Sequence, residues 1–138
     1  GVGEIDAEGN VNVSKFGDRI PGSGGFIEIT QGIRKVVFCT VVGDNGRRKF
    51  VPRVQQVTFS ARRARAVGQE VLYVTELGVF VLGQEGLVLV EVPEGVDVRA
   101  DVLDRIGCPV RVAENLAVSD GRTWSGGVLP DKRLEIYR

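Results

Sequence analysis

The sequence predicts an open α/β unit, rich in strands and flanked by short helices. Three observations carry this reading. Runs of β-branched and aromatic residues recur at short intervals between residues 35 and 92, and such runs form buried strands. Stretches with helical spacing interrupt them. Glycine-rich turns punctuate the whole chain. Buried strands mixed with helices pack as layers around one core.

Residues 4–14 have the pattern of a hairpin, with Ala7-Glu8-Gly9-Asn10 as the turn and Val11 and Val13 alternating with polar neighbours. The opening Gly1-Val2-Gly3-Glu4-Ile5-Asp6 reads as a strand already under way, so the chain is expected to be a piece of something longer. Phe26-Ile27-Glu28-Ile29-Thr30-Gln31 fits two periods. Ile27 and Ile29 alternate as in a strand, whereas Phe26, Ile29 and Ile33 share one helical face. Residues 35–42 read as a buried strand and Gly43-Asp44-Asn45-Gly46 as a turn. Arg47-Arg48-Lys49 and Arg62-Arg63-Ala64-Arg65 are the densest basic patches and read as solvated faces.

Residues 54–59 read as a strand. Ser60 then caps a short helix over 61–67, closed by Gly68. Residues 70–74, 78–82 and 87–92 are three closely spaced strands, the last two joined through Gly83-Gln84-Glu85-Gly86. Residues 97–106 have helical spacing at Val98, Val102 and Ile106, with Gly107 as the stop. Val110-Arg111-Val112 is a last short strand. From Ser119 the chain turns polar, and Trp124-Ser125-Gly126-Gly127 reads as part of a surface arm over 119–138.

Composition excludes several function classes. The 138 residues suit one domain, and 43% hydrophobic against 26% charged residues leaves enough apolar side chain for a core. Eighteen basic residues balance eighteen acidic ones, so no whole-protein field draws the chain to nucleic acid or to an anionic membrane. The apolar runs are too short to span a bilayer. Histidine is absent, which removes Ser-His-Asp and Cys-His catalysis and every histidine metal site. Cys39 and Cys108 form no CxxC pair. Cys39 lies inside Val36-Val37-Phe38-Cys39-Thr40-Val41-Val42 and is expected to be a buried, inert thiol. Few cysteines and no signal-like start point to the cytoplasm.

Four stretches together resemble the C-terminal half of the coenzyme A transferases that act on acetate, propionate and 3-oxoacids. They are Gly9-Asn10-Val11-Asn12-Val13-Ser14-Lys15-Phe16-Gly17, then Gly22-Ser23-Gly24-Gly25-Phe26, which matches that family's GxGGF pattern, then Lys35-Val36-Val37-Phe38-Cys39, and finally Val71-Leu72-Tyr73-Val74-Thr75-Glu76 with Val79-Phe80 after it. The resemblance runs from about residue 3 to 116. It implies that residues 1–118 are a lobe of such a transferase, incomplete on its N-terminal side. It further implies an enzyme in which a glutamate attacks an acyl-CoA and a glutamyl-CoA thioester passes CoA to an incoming carboxylic acid. No cofactor is implied, because the CoA thioester is itself the substrate. The implied partners are an upstream segment or second subunit of the same enzyme, in a homo-oligomer.

Carboxylates are poor nucleophiles, so such chemistry needs donors aimed at the oxygen that becomes an oxyanion. Gly22, Ser23, Gly24 and Gly25 are the candidate oxyanion loop, with Phe26 as an apolar wall, because glycines let backbone approach a ligand closely. Taken alone, the same glycines read as a turn that lets Pro21 reach the next element. The family's nucleophile lies in a Glu-x-Gly motif upstream of the residues present here. Glu76-Leu77-Gly78 repeats that pattern but falls in a stretch matching another part of the family, and it reads as a strand-end carboxylate at a turn. Glu8, Glu85 and Glu94 each precede a glycine directly and read as turn residues. No catalytic residue is therefore expected in this chain. The alternatives are a non-catalytic binding or assembly module on the same fold, and an acyl-transfer subunit of a lyase or decarboxylase complex.

Overall fold

In the computed structural model, which describes residues 2–44 and 46–120, the chain begins with the expected hairpin. Strand β1 (Glu4–Asp6) runs antiparallel to β2 (Val11–Asn12). The buried Asp6 carboxylate closes the turn by accepting the amides of Glu8 at 3.1 Å and Asn10 at 3.0 Å, which compensates the cost of burying it. Gly9 has φ +90°, and a Cβ there would lie 2.6 Å from Leu82 Cδ1. Both the torsion and the space demand glycine.

An irregular excursion leads to α1 (Phe26–Gln31) and β3 (Lys35–Cys39). Helix prevails over strand at α1 because Phe26 and Thr30, four residues apart, turn together toward the core. The face shared by Phe26, Ile29 and Ile33 is not the buried one, since Ile29 is 67% exposed. Strands β4 (Gly43–Asp44) and β5 (Arg47–Arg48) form a small hairpin, with both arginines exposed as expected. Strand β6 (Phe50–Val51) then pairs in parallel with β1.

Residues 54–59 form no strand, and Phe59 alone makes a bridge, to Val11. Side chains across the fold take its first two amides, Asp6 accepting from Val54 N at 3.4 Å and Glu4 from Gln55 N at 2.9 Å, while Thr58 N and Phe59 N both donate to the single carbonyl of Val11. Helix α2 (Ala61–Ala66) starts where expected, its Ser60 hydroxyl accepting from Arg63 N at 3.2 Å. Strands β7 (Glu70–Thr75), β8 (Gly78–Gly83) and β9 (Gly86–Pro93) follow as an antiparallel meander. The expected helix over 97–106 is a shorter π-helical segment, Val98–Leu103, capped by the Asp97 carboxylate on Ala100 N at 2.7 Å. Strand β10 (Arg111–Ser119) is much longer than the expected 110–112. It is an edge strand whose register with β9 shifts between Val112 and Ala117, and the exposed Glu114 and Asn115 in that stretch hide it from a hydrophobicity pattern. The expected arm around Trp124-Ser125-Gly126-Gly127 lies outside the described residues.

The main sheet has the order β10-β9-β8-β7-β3, with β3 parallel to β7 and β10 parallel to β9. Its registers align Phe38, Tyr73, Phe80 and Leu89 in one row across four strands, and all four are buried. Phe38 lies 5.5 Å from Tyr73 and 5.1 Å from Phe59 between ring centroids, and Phe50 lies 5.1 Å from Phe80. Such pairs contribute about 0.5–1.5 kcal/mol each beyond their burial. The neighbouring row, Val37, Leu72, Val81 and Val88, points to the other face and stays exposed or half-exposed. Cys39 shares that face and is exposed, whereas Cys108 is buried. The buried, inert thiol expected at Cys39 is thus overturned: alternation along an edge strand turns it outward. Among the described residues no helix is long and apolar enough to cross a membrane.

Tyr73 Oη–H donates to the Gly9 carbonyl. Burial, and then the Asp6 carboxylate, holds its phenol well above the ordinary value of 10.0, against a smaller lowering by Arg65. Burial, and then Asp6, likewise pushes the Cys108 thiol from 9.0 up to about 12. Tyr73→Phe is expected to cost about 1–3 kcal/mol in urea denaturation, because it leaves a buried carbonyl unpaired. Both groups are held protonated in the fold, so the stability they contribute is complete below their ordinary values of 9.0 and 10.0. That contribution is lost as pH rises through the folded values. Denaturation midpoints are therefore expected to fall above about pH 9, and to fall less steeply in a Tyr73→Phe, Cys108→Ala double variant.

Candidate functional site

The loop Gly22-Ser23-Gly24-Gly25 feeds directly into α1. Gly22 has φ +81° and Gly24 φ +50°, torsions that side chains other than glycine rarely adopt. Gly22 N donates to Ser14 O at 3.4 Å, and Ser23 O accepts from Phe26 N at 3.0 Å. The N–H groups of Gly24 and Gly25 find no acceptor among the described residues. Both glycines are exposed. The loop thus presents two adjacent backbone donors at the start of a helix, where partial positive charge gathers.

Gly25 differs from its neighbours. Its φ of −78° and ψ of 4° suit any residue. A Cβ there would meet only Ile29 Cδ1, at 3.9 Å. Neither torsion nor packing within the chain calls for glycine at this position. What the missing Cβ leaves open is space in front of the loop.

The core holds the loop in place. The Phe26 ring stacks on Phe38 at 5.8 Å with 22° between planes, so Phe26 serves as an anchor and faces inward, not across the open space before the glycines. Gln69 Nε2 donates to Thr30 O at 2.7 Å and Ile33 O at 2.8 Å, clamping the C-terminal end of α1 to the start of β7. Sequence reasoning missed Gln69, because a lone glutamine between a helix and a strand carries no pattern. A groove of about 270 Å³ runs beside α1, between Ile27 and Gln31 on one side and residues 57–60 on the other, with Arg63 at its rim.

Glu76 stands on the turn between β7 and β8. Both its carboxylate oxygens accept from Val42 N, at 3.1 and 3.0 Å. This is the strand-end carboxylate expected from the sequence, engaged in fixing the chain just after β3. Glu8, Glu85 and Glu94 are exposed and directly precede turn glycines, as expected. Among the described residues no group of three or more cysteine, aspartate or glutamate side chains is arranged to hold a metal ion.

No family model matches the chain. Caffeate CoA-transferase of Acetobacterium woodii is 38% identical over 146 residues, covering 91% of this chain and 28% of that protein. Acetate CoA-transferase YdiF of Escherichia coli K12 is 34% identical over 149 residues, covering 93% of this chain and 28% of that protein. The crystal structure of the acyl-CoA transferase YdiF apoenzyme from E. coli O157:H7 matches with a TM-score of 0.84 at 33% identity, over 94% of this chain and 29% of that chain. Over nearly its whole length the chain is similar to one segment of these coenzyme A transferases. It spans well under a third of the length of the curated relatives it matches. The decarboxylase AibA/AibB is similar to this chain with a TM-score of 0.68 at 30% identity, over 98% of this chain and 52% of that chain.

Glu76 is expected to act in the fold and not in chemistry. In the full-length parent, Glu76→Gln should leave turnover within about threefold of the parent value, because it removes no attacking atom. Glu76→Ala should lower the denaturation midpoint by freeing the Val42 amide. A loss of turnover on the order of 100-fold or more in Glu76→Gln would make Glu76 the nucleophile and overturn the reading.

Proposed function

We propose that the protein to which this chain belongs moves CoA between an acyl-CoA thioester and a short-chain carboxylic acid. The reaction runs through a glutamyl-CoA thioester, and the nucleophilic glutamate lies outside this chain. The observation that carries the proposal is the pair of unpartnered amides on Gly24 and Gly25 at the entry to α1, beside an open space that a Cβ at Gly25 would narrow. The names of the relatives support the class of reaction. One solved relative is a thioester complex of the E. coli acyl-CoA transferase with CoA. CoA thioester enters as substrate, and the chemistry needs no further cofactor.

The glutamate carboxylate attacks the thioester carbonyl, whose oxygen gathers negative charge. The CoA thiolate leaves, and an acyl-glutamyl anhydride remains. The thiolate then attacks the glutamyl carbonyl, releases the acyl group as a carboxylate and leaves CoA on the glutamate. The incoming acid runs these steps in reverse and departs as the new acyl-CoA. Each addition builds an oxyanion, and the Gly24 and Gly25 donors are placed to stabilise it. Ser23 and Gly22 shape the loop, and Phe26 ties it to Phe38 so that little reorganisation is needed at the moment of reaction.

A second reading, an acyl-transfer subunit of a decarboxylase, draws on the likeness to AibA/AibB, of whose chain this segment covers 52%. The upstream reading frame separates the two: a Glu-x-Gly motif there supports the transferase, and its absence the decarboxylase subunit. The 138-residue chain alone is expected to give no exchange of radiolabelled acetate into acyl-CoA. In the full-length protein, Gly25→Ala is expected to lower kcat by on the order of 100-fold with KM little changed. Near-normal turnover in Gly25→Ala would remove the oxyanion assignment. Gly25 is the sharper probe, because its backbone torsions tolerate alanine without strain.

A further inference from the structure

Helix α1 is short and carries no cap of its own. Its N-terminus has no side-chain cap, and Gly32 ends it with φ −90° and ψ −3°, so no left-handed residue there satisfies its last carbonyls. Six uncapped residues do not hold a helix by themselves. A side chain 39 positions away supplies what is missing: Gln69 Nε2 donates to Thr30 O at 2.7 Å and to Ile33 O at 2.8 Å. These partners set the orientation of the amide, because turned over it would bring Oε1 against two carbonyl oxygens. Oε1 is buried and meets no donor among the described residues.

An unpaired buried acceptor subtracts from the stability that the two donor bonds contribute, so the particular use of glutamine here is geometric. One neutral nitrogen supplies two donors. Apart from asparagine, whose stem is one methylene shorter, only charged side chains offer such a pair. Gln69 is also fixed from behind. Its own N–H donates to Ala64 O of α2, and Glu70 N donates to Arg34 O just before β3, both at 2.9 Å. On the other side, α1 bonds back to its own beginning. Thr30 is buried, and its hydroxyl donates to Phe26 O at 2.8 Å, while Ile29 N donates to Gly25 O at 3.0 Å. A line of bonds thus runs from the sheet through Gln69 and Thr30 to the residue that follows Gly25. Six helical residues rise only about 9 Å, so a shift at one end of α1 reaches the other.

We infer that Gln69 is a positioning residue for the glycine loop: through Thr30 and Phe26 it fixes where the Gly24 and Gly25 amides stand as charge develops on the thioester oxygen. The inference rests on the reading of those amides as oxyanion donors. Phe26 stacked on Phe38 fixes one point of α1, and a short helix held at one point can still swing about it. Gln69 is the second point, at the opposite end. The alignment of the donors is then set by a side chain that never meets substrate. Misplacing a catalytic group by about 1 Å costs on the order of 100-fold in rate.

In the full-length parent, Gln69→Leu is expected to lower kcat by roughly tenfold or more with KM within about twofold, at a temperature where circular dichroism shows the variant folded. Gln69→Asn, gentler on folding, should fall between Gln69→Leu and the parent. Gln69→Glu adds a signature that a merely structural role would not give. A carboxyl donates to these carbonyls only when protonated, and burial beside them favours the protonated form. The ratio of its kcat to the parental value should climb as pH falls from about 8 to about 6, and the same ratio for Gln69→Leu should stay flat. Thr30→Val should also slow turnover, and Thr30→Val with Gln69→Leu should lose no more than the slower single variant, because the two act along one line of bonds. Asp97→Ala, which uncaps the π-helical segment, should lower the denaturation midpoint and leave kcat within about twofold. Parental kcat in folded Gln69→Leu and Gln69→Asn, with Gly25→Ala slow, would overturn the inference alone. Near-normal turnover in Gly25→Ala would overturn the oxyanion reading and the inference with it.

Discussion

Tyr73 joins the two halves of the core. Its ring stands in the row that Phe38, Phe80 and Leu89 complete across four strands of the main sheet. Its hydroxyl reaches the carbonyl of Gly9 in the turn of the N-terminal hairpin. The hairpin is short and could not stand alone. Pinned by Tyr73, organised by Asp6 and paired with β6, it becomes the lid on the sheet's inner face. Gly9 has no Cβ, which is why the turn can settle this close to Tyr73 and Leu82.

The glycine loop takes its rigidity from the same row. Phe26 stacks on Phe38, so the first residue of α1 is tied to the aromatic core. Gln69 holds the far end of the helix through two carbonyls. A six-residue helix has little intrinsic stability, yet these contacts keep it, and the exposed glycines before it, in one place. Donors held in advance are what electrostatic catalysis requires. Unpartnered amides are costly only where they are buried; here the loop faces outward, and the space before Gly25 is open.

The sheet is asymmetric in a way that local pattern does not reveal. Val37 and Phe38 are adjacent, apolar and on the same strand, yet one is 48% exposed and the other 5%. The difference lies in which side of the sheet the crossovers take. Cys39 follows Val37 to the outside for the same reason, and its thiol chemistry is decided by topology and not by its apolar neighbours.

Where the determinants are local, the sequence alone was enough. Ser60 caps α2, Gly83 and Gly86 close the β8–β9 hairpin, and the 7–10 turn joins β1 to β2. The glycine loop, the transferase resemblance and the structural nature of Glu76 were legible too, because each is a contiguous run or a strand-end position. Tertiary structure decided the rest. Residues 54–59 have strand propensity, but Asp6 and Glu4, some fifty positions away, take the amides of Val54 and Gln55 at its start. The stretch 26–31 fits helix or strand until Phe38 offers Phe26 a partner. The exposed Glu114 and Asn115 of β10 fall between Val112 and Ala117, where its register with β9 shifts. Periodicity records which side chains alternate; it cannot say which face of a sheet the rest of the chain will cover, because that depends on contacts between residues far apart in sequence.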